Sequence, residues 1–214
     1  MFGCILLLQS CFEIIEQVFI HKDGSGTFQL VINMSKSKTK LSSIMKMKTV
    51  NGHDVPTKEE VTKKITDIEK TVSKTVGISK VKTTIDFDNY IATLSCSFIK
   101  VNNLNTAVKN IGEKENSKDK AIEKTFEYDE PNKVFSRLNK FLLKDGYQKM
   151  SNADREIFAT ANYTSIFRFD TEVAASSNKE SKLSANKKAV LLKLNALDIM
   201  TNKKSIENKI NLTK

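Results

Sequence analysis

Two alternating runs of residues, separated by Asp23-Gly24-Ser25-Gly26, constrain this chain more than any other feature. In FEIIEQVFIHKDGSGTFQLVINMS the glycines permit the positive φ angles that a tight reversal demands. After the turn, Phe28, Leu30, Ile32 and Met34 alternate with Thr27, Gln29, Val31 and Asn33. A period of two puts one set on a core and the other on the opposite face, so this stretch predicts a β-hairpin within a sheet.

The rest of the chain supplies helices and more strands. Lys36 to Lys48 carries Leu41, Ile44 and Met45 at helical spacing. Thr57-Lys58-Glu59-Glu60 is a capping box, in which hydroxyl and carboxylate satisfy each other's backbone amides. Behind it Val61, Ile65, Ile68 and Val72 form one stripe, predicting a helix over 58–74 that Gly77 closes. Strands follow over Ser79–Phe87 and Tyr90–Lys100, then a helix over 103–111 on Leu104, Val108 and Ile111. EKENSKDKAIEK reads as a solvated loop, and KTFEYDEPNKVF as a hairpin around Pro131-Asn132. SRLNKFLLKDGYQKMSNADREIF reads as helical in part. ATANYTSIFRFDTEV, KAVLLKL and KSIENKINL alternate as strands, with Ala174–Lys187 a polar loop between the first two. The expected fold is α+β: a mostly antiparallel sheet with two to three amphipathic helices packed on one face.

The N-terminus has a different character. Residues 1–10 are uncharged, and Ile5 to Leu8 is too short to span a bilayer, which takes about 20 apolar residues. Leu8-Gln9-Ser10-Cys11 resembles the lipobox of bacterial lipoproteins, whose cysteine thiol receives a diacylglyceryl group before cleavage on its amino side. The division that follows is a signal peptide over 1–10, cut between Ser10 and Cys11, and one domain over 11–214. No Lys or Arg precedes the apolar run, which leads us to expect that the precursor starts upstream of Met1. Each buried methylene contributes about 0.8 kcal/mol, so two or three acyl chains on Cys11 would hold firmly. Phe12 in place of an aspartate after the cysteine favours the outer membrane, and the absence of an acidic cluster in FEIIEQ favours its periplasmic side.

Cysteine usage agrees. Cys4 would leave with the signal and Cys11 would carry lipid, which leaves Cys96 on the alternating face Ala92, Leu94, Cys96, Phe98 as a small buried hydrophobe. The formal charge of +10 is spread along the chain, giving weak attraction to anionic lipid, polysaccharide or nucleic acid. Lys and Arg form no dense block and aromatics are not interleaved with them, which argues against nucleic acid.

No catalytic, metal-binding or cofactor-binding constellation is legible. His21 and His53 read as surface residues beside turns, and the histidine clusters and C-x-x-C pairs of metal sites are missing from the sequence. There is no G-x-S-x-G elbow, P-loop or dinucleotide fingerprint. The pairs Asp86/Asp88 and Asp129/Glu130 sit at strand ends, where carboxylates are normally solvated.

Taken in order, a lipobox cysteine runs into a strand, a DGSG hairpin, a strand ending in INMS and a helix. TSIFRFDTEVAASSN, a polar loop, AVLLKL and a final strand follow later. This order is similar to lipoproteins found in Bacteroidota envelopes and, more loosely, resembles the LppM-type lipoprotein domain of mycobacteria. The resemblance implies an α+β fold and a lipid or phosphoinositide-like ligand. That family normally adds a C-terminal membrane helix, whereas this chain ends in polar IENKINLTK, leaving Cys11 as the anchor. The expected function is a membrane-anchored, non-enzymatic envelope lipoprotein that binds a lipid, a glycan or an envelope protein. The alternatives are an envelope hydrolase assembled from sequence-distant groups such as His21, His53, Asp86 and Asp88, or a structural subunit of an envelope complex.

Overall fold

The DGSG hairpin forms as its sequence dictates: strand β1 (Glu13–Ile20) pairs antiparallel with β2 (Gly26–Asn33), with Val18 opposite Phe28. Gly24 takes φ +79°, and its amide donates to the His21 carbonyl at 3.0 Å. The computed structural model describes residues 12–114, 124–138, 150–152, 155 and 159–213. The expected signal peptide over 1–10, the expected cleavage pair Ser10 and Cys11, and most of the segment read as partly helical lie outside the described residues.

After β2 come α1 (Lys38–Ile44), the short strands β3 (Thr49–Val50) and β4 (His53–Asp54), and α2 (Lys58–Ser73). The chain continues through β5 (Ile78–Asp86), β6 (Ile91–Phe98) and α3 (Val101–Lys114). Next are β7 (Phe126–Asp129), β8 (Val134–Arg137), β9 (Asn162–Phe169), β10 (Val173–Ser176) and β11 (Lys182–Leu183). The described chain closes with β12 (Ala189–Asn195), α4 (Ala196–Met200) and β13 (Asn208–Leu212). The α+β class and the predominance of antiparallel pairing are as expected. The exception is β1, which runs parallel to β9 at the centre of the large sheet.

Seven strands form that sheet, in the order β11-β12-β9-β1-β2-β6-β5, and a second sheet has the order β10-β13-β8-β7. The inner face of the large sheet carries Val18, Ile20, Cys96, Phe98, Phe167, Phe169 and Val190. It is covered by α2 and α3 through Val72, Leu104 and Ala107, and by the small sheet through Phe126, Phe135 and Ile210. Aromatic contacts thread this layer: Phe135 lies 5.1 Å from Phe167 and 6.0 Å from Phe126, centroid to centroid. Burying one such ring contributes about 1.5–3 kcal/mol. A satellite cluster of Tyr163, Leu192, Leu194, Ile199 and Ile206 packs beneath α4.

Local chemistry explains the helices. The capping box at Thr57 is formed, with the Glu60 amide donating to Thr57 Oγ1 at 3.1 Å and the Thr57 amide to Glu60 Oε2 at 2.8 Å. In α3 the buried face includes a residue the apolar stripe passes over. Asn105 accepts from the amides of Thr125 and Phe126, both at 2.9 Å, and donates to the Phe126 carbonyl at 2.8 Å. It pins the start of β7 to the helix and satisfies backbone groups that burial would otherwise leave unpaired.

Three expectations are corrected. Ala174–Lys187 is not wholly loop, because Ala174 to Ser176 belong to β10 and Lys182–Leu183 form β11. Side-chain bonds from its serines and asparagines hold this segment, with Ser176 Oγ and the Asn178 amide donating to buried Asn208 Oδ1, so its polarity concealed its order. The helix expected to end near Ile111 runs to Lys114. The helix expected within Lys36–Lys48 forms but is shorter, Lys38–Ile44 with Met45 at its C-cap, and leaves Leu41 and Ile44 only half-buried.

Candidate functional site

Alternation gives the large sheet a second, outer face, and that face holds the most developed polar surface. Gln17 and Gln29 stand directly opposite each other on β1 and β2, and Gln17 Nε2 donates to Gln29 Oε1 at 2.9 Å. From β9, Arg168 Nη1 donates to Gln17 Oε1 at 2.9 Å. The row continues across β6 through Ser95, the cross-strand partner of Gln29. Ser97 and Thr27 sit one step further along, facing each other, with Phe19 beside Thr27. These side chains line a hollow of about 310 Å³.

Lys80 closes the far side of the hollow by an unusual route. It sits in a bulge of β5 between Ser79 and Lys82, with φ +50°. A side chain in that left-handed region is uncommon, and bulges re-aim a residue relative to its strand. Arg168 and Lys80 therefore flank a sheet of amide and hydroxyl groups. Such an array offers donors and acceptors in fixed positions, with a cation at each side for a carboxylate or phosphate.

The second polar cluster is internal. Arg137 on β8 donates to both carboxylate oxygens of Glu16 on β1, at 2.9 and 3.2 Å, and Tyr163 Oη donates to Glu16 Oε1 at 2.8 Å. Burial, with the Glu16 charge adding to it, pushes the Tyr163 phenol far above its ordinary range. Burial opposes the Arg137 charge, but the neighbouring Glu16 carboxylate more than offsets it, and the guanidinium pKa is raised. Ser165 Oγ, on the strand position opposite Glu16, is buried without a hydrogen-bond partner. With its charges neutralised internally and its members buried, this network joins the two sheets.

The residues considered for a hydrolase are dispersed. His21 Nδ1 lies 3.1 Å from Asp170 Oδ2, at the end of the large sheet where β1 finishes. Asp86 and Asp88 stand at the other end, about 25 Å away along an eight-residue strand. The hydrogen bonds of Asn89 and the amide of Asp88 hold the Asp86 carboxyl below the usual range, the signature of a turn. His53 is exposed on β4. Asp129 accepts from Asn132 in the β7–β8 turn, while Glu130 pairs with Lys100 at 3.2 Å. Among the described residues no group of three or more His, Cys, Asp or Glu is placed to hold a metal. Cys96 is buried, and burial pushes its thiol up to about 11, well outside nucleophile territory.

Leu8, Gln9, Ser10 and Cys11, expected from their resemblance to a lipobox, lie outside the described residues, but the chain immediately after them is described. Phe12 accepts from the Asn162 amide at 3.0 Å, and β1 starts at Glu13 in the middle of the large sheet. Anything attached at Cys11 is therefore two residues from a central strand. Among the described residues, no helix is long and apolar enough to cross a membrane.

The outer-face row is not anticipated from the sequence: alternation puts Gln29 on the face opposite the core, but its partners Gln17, Arg168 and Lys80 come from other strands. Part of the signal is present: Gln17, Thr27, Gln29, Ser95 and Ser97 recur at off-core positions of three neighbouring strands.

No family model and no curated protein matches the chain. Among solved structures it is similar to the NMR structure of the folded domain of Mycobacterium tuberculosis LppM, with 13% sequence identity and a TM-score of 0.49. The likeness covers 98% of this chain and 95% of that one.

Proposed function

We propose that this chain is a lipid-anchored protein of a bacterial cell envelope, acylated at Cys11 after removal of residues 1–10, and that its domain is a non-enzymatic binding module. The ligand class that suits it is an acidic glycan, held across the outer face of the seven-stranded sheet. The observation that carries this reading is the pre-formed row Arg168–Gln17–Gln29, continued by Ser95 and bounded by Lys80. Sugar hydroxyls need closely spaced donors and acceptors, a uronate carboxylate needs the guanidinium, and Phe19 offers a ring edge beside them. The lipobox supplies the anchor, and the start of β1 at Glu13 keeps the module against the membrane.

The test is calorimetric titration with oligogalacturonate and with a neutral glucan oligomer of the same length. Binding of the acidic oligomer that is lost in Arg168→Ala and Gln17→Ala, with the neutral one much weaker, supports the reading. Equal or no binding of both removes the glycan assignment. The anchor is tested separately: Cys11→Ser shifts the protein to the soluble fraction at high salt, and retention in membranes contradicts acylation at that residue.

A further inference from the structure

The segment between β2 and β4 is chemically unlike the rest of the chain. Residues 34–50, MSKSKTKLSSIMKMKTV, contain five lysines and no acidic residue. Lys36, Lys38, Lys40, Lys46 and Lys48 are all exposed, and no salt bridge among the described residues engages any of them. Between them, α1 leaves its apolar residues Leu41 and Ile44 only half-buried, and Met47 is 53% exposed. A helix whose apolar side is only half covered by the domain, beside an exposed methionine and a run of lysines, needs another environment to match it.

Its location is fixed by several contacts. The Met34 amide donates to the Tyr90 carbonyl at 3.0 Å, and the Ser42 and Tyr90 hydroxyls lie 3.1 Å apart. Burial raises the Glu13 carboxyl, but hydrogen bonds from Thr164 and Lys193 outweigh it, and Lys193 and Lys36 add their charge, so its pKa is lowered. Lys38 acts in the same direction on Asp86, after the Asn89 hydrogen bonds. The basic segment thus occupies the end of the large sheet where β1 begins, beside Phe12. Of the acidic groups at this end, Glu13 is engaged by Thr164 and Lys193 and Asp86 by its own turn, while Asp88 and Asp54, the latter opposite Thr49, stand exposed and are outnumbered by the lysines.

We propose that residues 34–50 form a membrane-contact face that docks on an anionic bilayer surface, lysines on the head groups and Met47 among the outer acyl methylenes. Charge complementarity selects the occupant, since five exposed lysines held in no salt bridge among the described residues, beside the exposed Met47, match a negatively charged lipid interface. The proposal rests on the envelope reading only for which bilayer is met, and the contact itself does not require acylation. It sets the orientation of the domain, with the β1 start toward the membrane and the His21–Asp170 end away from it.

The experiment uses the full chain carrying Cys11→Ser, so that no acyl anchor contributes, and sucrose-loaded vesicles of phosphatidylcholine with or without phosphatidylglycerol. Sedimentation should show binding only to the phosphatidylglycerol vesicles. Each lysine near an anionic surface strengthens partitioning about fivefold, so Lys38→Gln/Lys40→Gln/Lys46→Gln should weaken it about a hundredfold. The matched triple Lys22→Gln/Lys187→Gln/Lys188→Gln, at the other end of the sheet, should leave it nearly unchanged. Because the chain has no tryptophan, Met47→Trp gives a single emitter whose fluorescence should shift to the blue on those vesicles. Val76→Trp, at a position 86% exposed beside the far end of β5, should not shift. Equal losses in the two triples, a blue shift at position 76 but not 47, or no binding to either vesicle would overturn the proposal. The intact mass of the native protein reports acylation independently, so failure here and failure of the anchor are told apart.

Discussion

The Arg137 guanidinium grips the Glu16 carboxylate through Nε and Nη2 inside the core, where β8 of the small sheet meets β1 of the large one. The two side chains are only 2% and 8% exposed, and Tyr163 completes the shell of the carboxylate. A pair so placed specifies how the two sheets sit on each other, because any shift of one strand position separates the charges.

Removing one partner should therefore cost more than removing both. Arg137→Met leaves a buried carboxylate with only the Tyr163 hydroxyl and should destabilise the protein by about 3–5 kcal/mol. Glu16→Leu combined with Arg137→Met should recover much of that loss. Denaturant titration of the two variants measures this. A double variant as unstable as the single one would contradict the account.

Gly26 marks a close approach that no other residue can satisfy. A Cβ there would lie 1.9 Å from the Phe19 carbonyl oxygen and 2.7 Å from Phe98 Cζ. Gly26→Ala should cost more than about 4 kcal/mol or prevent folding, since both neighbours are fixed by the sheet. Gly52, in the β3–β4 turn, has φ +81° but open space around it, so Gly52→Ala should cost only the backbone term, about 1–2 kcal/mol. Thermal melts of the two variants make the comparison.

Cys96 gives a signature at alkaline pH. Its thiol has an ordinary pKa of 9.0, which burial pushes to about 11 in the fold. Between those values the folded state keeps a proton that the unfolded chain has lost, so the stability contributed by this group declines as pH rises from about 9 toward 11. Wild type minus Cys96→Ala, compared in denaturant at neutral pH and at pH near 10.5, isolates this effect from the titrating lysines (an intermediate pH on the order of the two values above). A difference that is independent of pH would mean the thiol is not shielded.

Much of the fold was legible because it rests on local chemistry. The DGSG turn, the Thr57 capping box and the alternation Tyr163, Ser165, Phe167, Phe169 all act within a few residues, and each forms as read. What stayed hidden depends on pairing at long range. Glu16 falls among Ile14, Val18 and Ile20 on an apolar face, and Arg137 follows Phe135 in the same register. Each is a charge out of place, yet nothing in the sequence says that they meet across 121 positions. The parallel pairing of β1 with β9 and the separate small sheet were unreadable for the same reason. Part of the outer-face row could have been found by reading the off-face positions. The membrane-contact face could not, because an amphipathic helix whose stripe is only half-buried looks in sequence like one that packs fully.

The central claim is that the mature protein carries lipid on Cys11 and is held by it against the membrane. Intact-protein mass spectrometry of material extracted from the membranes of the native host tests this most directly. The account predicts a polypeptide starting at Cys11 and heavier than its residues by a diacylglyceryl group, with or without a further acyl chain. A polypeptide with the mass of the unprocessed, unmodified translation product would contradict it.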